Sequence, residues 1–204
     1  MKANKKFIYL ISPNKIESNN FYVDLDQVLS SKKISFFQLR LKKETDKNRI
    51  SIGKKVKKIC KKYKIKFLIN DDPVLAKKLD ADGCHLGQKD MNVLNARKIL
   101  KNKIIGVTCH NSINLTKKAI RDGADYLAIG AFYFSKTKKI KYKASLKILN
   151  LVKKITNIPI VAIGGIKLDN YKKLLLNKAN FLAISGYIWN NKKYKPLEAI
   201  KKLR

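Results

Sequence analysis

The 204 residues are 45% hydrophobic and 30% charged, a balance that excludes a disordered chain and one whose bulk lies in a membrane. A globular chain of this size buries roughly 70% of its unfolded surface, so one core is within reach. The 47 Lys and Arg against 14 Asp and Glu leave a net charge of +33, which points to nucleic acid until the bases are sorted.

Only Arg40, Arg49, Arg97, Arg121 and Arg204 are Arg, and the other 42 bases are Lys, spread from end to end beside abundant Asn and Ile. Compositional drift in an AT-rich genome leaves that pattern. The charge still attracts polyanions and phosphorylated small molecules. Cys60, Cys84 and Cys109 are odd in number with no C-x-x-C, which suggests neither a disulfide framework nor a zinc site and favours a reducing cytoplasm. The apolar stretch Phe7–Ser12 is too short for a signal segment, and Phe181–Trp189 falls short of the ~20 residues that span a bilayer. A soluble, cytoplasmic protein with no membrane partner is expected.

In chain order, short apolar runs begin at Phe7 (FIYLI), Phe36 (FFQLR), Lys66 (KFLIN), Gly83 (GCHLG), Ile104 (IIGVT), Asp125 (DYLAIG), Ile158 (IPIVAIG) and Phe181 (FLAIS). Lys-rich segments with helical spacing lie between them. In Ile50–Tyr63, for example, Ile52, Val56, Ile59, Cys60 and Tyr63 share a face, with Lys54, Lys57, Lys58 and Lys61 opposite. Further helices are predicted at Val74–Leu79, Val93–Leu100, Leu115–Ile120, Ser145–Ile155, Leu168–Leu176 and Leu197–Leu203.

Eight alternating strand–helix units call for parallel strands covered by helices, and eight strands close a barrel with a packed interior. An open doubly wound sheet would carry a glycine-rich turn after its first strand, where this chain reads SPNKIES. The predicted fold is therefore α/β, a (β/α)8 TIM barrel forming a single compact domain over residues 1–204.

Chemistry on such a barrel belongs at the C-terminal ends of the strands. The second run ends Gln38-Leu39-Arg40-Leu41-Lys42. Alternation places Gln38, Arg40 and Lys42 on one face, and two inward cations are costly unless an anion meets them. The third run ends Asn70-Asp71-Asp72, and the loop after the fourth reads Gly87-Gln88-Lys89-Asp90. These carboxylates suit a Mg²⁺ bridged to a diphosphate, while capping of the next helices explains each of them singly about as well. Thr108, at the end of the fifth run, offers a hydroxyl to a phosphate. His110 reads as a structural hydrogen-bonder, and His85, within the fourth apolar run, as a buried, satisfied imidazole. Ser135-Lys136-Thr137-Lys138-Lys139 is long enough to fold over the mouth. Gly164-Gly165 and Ile184-Ser185-Gly186 suit backbone approach to a second phosphate.

In this order, QLRLK, FLINDD, ADGCHLGQKD, GVTCH, GADYLAIGAF, SKTKK and IPIVAIGGI resemble the thiamine-phosphate synthase family over nearly the whole chain. The resemblance implies a (β/α)8 barrel that uses Mg²⁺ to join a hydroxymethylpyrimidine diphosphate to a thiazole phosphate, with release of diphosphate. It implies that Gln38, Arg40, Lys42, Asn70, Thr108 and Lys138 bind the pyrimidine diphosphate, with Arg40, Lys42 and Lys138 catalytic. Asp71 and Asp90 would bind Mg²⁺. Ser135, Thr137, Gly165, Ile184 and Ser185 would hold the thiazole phosphate.

The chain departs from the family pattern in places: Thr108 replaces a usual Ser, Ala131 and Phe134 replace prolines, and KANFLAIS replaces a glycine-bearing turn. A related thiazole tautomerase, which isomerises the thiazole phosphate with a His, is the alternative on the same barrel. It tends to lack the second carboxylate and the Gln of QLR, and both Asp90 and Gln38 are present here. A basic RNA-binding module is the rival from another class, but it would interleave aromatics with Arg on one face. The expected partners are small-molecule substrates, with no specific nucleic acid and with room for a homo-oligomer.

Overall fold

The computed structural model describes residues 6–42, 44–135 and 142–203. Eight strands hydrogen-bond in sequence order and close on themselves: β1 (Ile8–Ile11), β2 (Ile34–Leu39), β3 (Lys66–Asn70), β4 (Gly83–Leu86), β5 (Ile104–His110), β6 (Tyr126–Gly130), β7 (Ile160–Ile163) and β8 (Phe181–Ile184). Every neighbouring pair is parallel, including β1 with β8. This is the predicted (β/α)8 barrel.

The helices are α1 (Asn20–Ser30), α2 (Asp46–Lys62), α3 (Pro73–Lys78), α4 (Val93–Leu100), α5 (Ile113–Arg121), α6 (Lys147–Ile155), α7 (Tyr171–Leu176), α8 (Gly186–Trp189) and α9 (Pro196–Lys202). Four of them begin at residues whose side chains accept an N–H of the first turn. Thr45 caps α2, Asp72 α3, Asn92 α4 and Ser112 α5, and each satisfies a donor that the helix cannot. Two helices went unread in the sequence. In α1 the buried stripe Phe21, Leu25, Val28 and Leu29 has helical spacing behind a polar lead-in. The four residues of α8 are hidden in an apolar run.

Alternation along the strands sorts the core into two layers. Outward residues such as Ile8, Leu10, Phe37, Leu39, Cys84, Leu127 and Ile184 pack beneath the helices. Inward ones such as Tyr9, Leu68, Tyr126, Ala128, Val161 and Ala183 fill the lumen. Gly106 on β5 is what admits the Tyr126 ring, since a Cβ there would lie 1.8 Å from the ring.

One expectation needs correction. Strand β2 starts at Ile34 and stops at Leu39, so Arg40 and Lys42 do not project from an interior strand face. They stand past its end, at the rim, with Arg40 half-buried and the Lys42 side chain 50% exposed. Hydration there removes most of the penalty that two buried cations would carry.

Candidate active site

The C-terminal ends of β2 to β5 bring together most of the predicted residues. Gln38 is fully enclosed in the lumen, and Thr108 is nearly so. Asn70 closes β3 beside His85 of β4. One residue later the backbone of Asp71 turns to φ 65°, a left-handed conformation that Asp tolerates better than most residues. That turn separates two adjacent carboxylates.

Asp71 faces the rim, with Oδ2 3.1 Å from Lys42 Nζ and its carboxyl group close enough to that of Asp90 for each to shift the other. Asp72 instead faces α3, where Oδ1 accepts the Leu75 N–H at 2.8 Å. The capping alternative therefore holds for Asp72 and not for Asp71. Nor does Asp90 cap α4, because Asn92 does so. Asp90 Oδ2 accepts the Gly87 N–H at 2.6 Å within its own loop.

The electrostatics follow from this geometry. Burial pushes the Asp71 carboxyl up, but the neighbouring Asp90 carboxyl and the Lys42 ammonium prevail and leave it below the ordinary range. Burial and the Asp71 carboxylate raise Asp90. Two carboxylates this close share a proton or a cation. Burial lowers the Arg40 guanidinium, and Asp71 opposes that shift. Arg is charged in any case.

On the opposite side, four strands away, β7 ends in Gly164-Gly165 at φ 99° and 60°. A Cβ on Gly165 would lie 2.2 Å from the Phe134 carbonyl oxygen and 2.6 Å from that of Tyr133. The glycine pair thus lets the loop after β6 lie against β7, with Tyr133 N donating to Gly164 O at 3.1 Å. That places the half-buried Ser135 beside this rim. Ser185 starts α8, and its Oγ donates to Ser12 O at 3.1 Å. Ile184 points its side chain into the outer layer, so only its backbone can line the mouth. Thr137 and Lys138 lie outside the described residues.

The first loop was missed in the sequence, yet it ties the two rims together. Ser12 is 2% exposed, and its Oγ accepts the Arg40 N–H at 2.9 Å. Asn14 Oδ1 accepts from the Arg40 guanidinium, and Trp189 Nε1 donates to Ile11 O at 2.7 Å. In the sequence the SPN turn stands out only for the glycine it lacks. Its polar residues after a strand end were the available signal.

His85 is satisfied as expected, with Nδ1 2.8 Å from the Tyr126 hydroxyl and Nε2 2.8 Å from Thr108 Oγ1, but it is only partly buried, because its ring faces the open end of the lumen. His110 is the last residue of β5 and lies against the Tyr142 ring, with centroids 4.7 Å apart. Cys60, Cys84 and Cys109 are buried and unpaired, and burial pushes the Cys109 thiol up to about 12. These thiols are not poised nucleophiles.

A family model described as thiamine monophosphate synthase matches residues 8–188. The thiamine-phosphate synthase of Pelagibacter ubique (strain HTCC1062) is 80% identical over 203 residues, which cover 100% of this chain and 98% of that relative. The thiamine-phosphate synthase of Nitrosomonas eutropha is 38% identical over 184 residues, covering 90% of this chain and 86% of the relative. Among solved structures, thiamine phosphate pyrophosphorylase from Pyrococcus furiosus superposes with a TM-score of 0.85 at 27% identity, covering 98% of this chain and 95% of that one. The match runs from the first strand through α8 and takes in both rims of the mouth: the chain belongs to the thiamine monophosphate synthase family.

Proposed function

We propose that this chain is a transferase of thiamine biosynthesis that joins 4-amino-2-methyl-5-hydroxymethylpyrimidine diphosphate to a thiazole phosphate, yielding thiamine phosphate and diphosphate. The observation that carries the reading is the rim of β2 to β4, where Arg40 and Lys42 flank the Asp71–Asp90 pair. Neither the tautomerase alternative nor the RNA-binding one finds support, and the relatives that cover the chain carry the synthase name.

In this reading the C–O bond to the leaving diphosphate breaks with its electron pair, and the electron-rich aminopyrimidine carries the resulting benzylic-type cation. The thiazole nitrogen then supplies the pair for the new C–N bond. No protein nucleophile is required, which agrees with the buried, raised thiols. Arg40 and Lys42 stabilise charge that grows on the leaving oxygens, as prepositioned cations do. Lys138, in the sixth loop, is assigned the same task. Gln38 and Asn70 orient the pyrimidine end, and Thr108 offers its hydroxyl to a phosphate oxygen. Gly165, Ser185, Ser135, Thr137 and the backbone of Ile184 hold the thiazole phosphate across the mouth.

The donor set at Asp71 and Asp90 fits Mg²⁺. Two hard carboxylates side by side leave room for substrate oxygens and water, the arrangement this ion prefers. Bound there, Mg²⁺ would share the negative charge of the diphosphate. We further assign one domain over residues 1–204 and a cytoplasmic setting, the latter resting on the unpaired cysteines. Among the described residues no helix is long and apolar enough to cross a membrane.

Incubating the purified protein with both phosphorylated precursors and Mg²⁺ tests the reading. Thiamine phosphate and diphosphate should appear in equal amounts. Their absence, where a known synthase forms them, overturns it.

A further inference from the structure

Strand β2 ends at Leu39, and the next residue is Arg40, the cation assigned to the leaving diphosphate. A long side chain past a strand end is free to swing, and a ligand that stops it must offset the lost rotamers. Arg40 is instead gripped at both ends by the loop Ser12-Pro13-Asn14, which has no part in the function proposed above.

The grip starts at the main chain. Ile11 pairs with Gln38 in the β1–β2 ladder, and Ser12 N donates to Gln38 O at 2.9 Å. A regular parallel ladder would next pair the Arg40 N–H with the Ser12 carbonyl. Here the Ser12 hydroxyl takes that place, with Oγ 2.9 Å from Arg40 N, and its own hydrogen goes to Pro13 O at 2.9 Å. The carbonyl so released accepts from Ser185 Oγ at 3.1 Å. Every polar group of this buried serine is therefore bonded inside the protein.

Pro13 fixes its own φ and keeps Ser12 extended, which makes a stiff link to Asn14. Asn14 Oδ1 accepts from Arg40 Nη1. An amide is a neutral acceptor: it occupies one of five N–H donors and leaves the positive charge unspent. The Lys42 ammonium, by contrast, rests on the Asp71 carboxylate. On its far side the loop is fastened by Trp189, whose Nε1 donates to Ile11 O at 2.7 Å and whose ring packs on Phe21 with centroids 5.2 Å apart.

We propose that Ser12 and Asn14 are positioning residues that preset Arg40 for the diphosphate, Ser12 through the main chain and Asn14 through the guanidinium. The proposal rests on the reading of Arg40 as a diphosphate ligand. Its physical content is that the free protein already holds the side chain in place, so less of the binding energy is consumed in ordering it.

The probe is inorganic diphosphate with Mg²⁺, titrated calorimetrically into the full-length protein, which requires neither precursor nor turnover. Arg40→Ala should weaken binding about ten- to hundredfold, the range of a lost hydrogen bond to a charged group. Asn14→Ala should weaken it about two- to tenfold, the share of one long side chain that the ligand must then immobilise. Its melting temperature should hold, because Asn14 is exposed. In the Arg40→Ala background the same substitution should change affinity less than twofold. Ser12→Ala should lower the melting temperature in both backgrounds, since the Arg40 N–H loses its acceptor in each, yet weaken diphosphate binding only where the Arg40 side chain is present. Should Ser12→Ala fail to fold, the Asn14 cycle decides alone.

An Asn14→Ala loss under twofold, or one equal in both backgrounds, overturns the proposal. Equal losses are what a brace that only supports the fold would give. An Arg40→Ala affinity within twofold of the parent overturns it as well. A protein that obeys the cycle but forms no thiamine phosphate from the two precursors overturns the synthase reading alone.

Discussion

Arg49 Nη2 lies 2.9 Å from Asp72 Oδ2, so the second carboxylate of the Asp71-Asp72 pair is held from outside the barrel by α2. The first is held from the rim by Lys42. Adjacent residues thus serve different masters, one the helix layer and the other the mouth.

That division predicts different losses. Asp72→Ala removes a helix cap and a half-buried ion pair, and should lower stability by about 1–2 kcal/mol. Turnover and Mg²⁺ requirement should stay near the parent values while the protein is folded. Asp71→Asn and Asp90→Asn should do the opposite, with a raised Mg²⁺ requirement, lower turnover and an unchanged melting temperature within a few degrees. Thermal melts alongside Mg²⁺ titrations of activity check all three. Equal activity loss at the three positions, with unfolding, would return Asp71 and Asp90 to a structural role.

His110→Ala separates the synthase from a proton-moving enzyme. His110 is at φ 53° at the end of β5 and packs on Tyr142. Its loss should cost less than about tenfold in kcat, against the 10²–10⁴ typical of a lost general acid or base. EDTA should abolish activity in both proteins. A metal-independent activity that vanishes with His110 would favour the tautomerase.

Gly165→Ala should injure the site through the backbone. The new Cβ would meet the Phe134 and Tyr133 carbonyl oxygens at 2.2 and 2.6 Å, and φ 60° disfavours any side chain. The expected loss is about 1–3 kcal/mol of stability, with a raised KM for the thiazole phosphate as the loop carrying Ser135 is displaced. Gly123→Ala is the control. It has φ 89° but open space around it, so it should lose stability without losing affinity.

Asp80 supplies the acid dependence. Lys103 and Lys57 lie 2.6 and 3.0 Å from its two oxygens and hold its carboxyl down at about 2, against an ordinary 3.8. A depressed carboxylate contributes stability above its unfolded value and loses it as pH falls through its folded one. Asp80→Asn should therefore be less stable than the parent at pH 7, and the gap should close between about pH 4 and pH 2. Because the group is exposed, 1 M salt should shrink the gap as well. Urea melts at three pH values read the effect, and a gap that persists at pH 2 would count against it.

How far the sequence reaches is clearest at β4 and β5. GCHLG and IIGVT announce strands because inward and outward residues alternate every second position, and that period survives in any tertiary setting. The same local rule placed Gln38, Asn70, Asp71, Asp90 and Thr108 at strand ends, hence at one mouth. It also reached the satisfied His85. It did not reach α8, whose four residues are too few to show a helical period, and it set β2 too late and too long, because FFQLRLK keeps alternating after the ladder stops at Leu39.

Which residues touch was decided only by closure of the ring. Tyr9 and Tyr126 share a hydrogen bond across 117 positions of sequence, and Ser12 meets Ser185 because β1 lies against β8. No periodicity encodes such a pair, since it depends on the order of all eight strands. The split between Asp71 and Asp72 is tertiary too. Two identical side chains in succession carry no signal to say which one turns, and the choice was made by a left-handed backbone at Asp71, with Lys42 waiting on one side and Arg49 on the other.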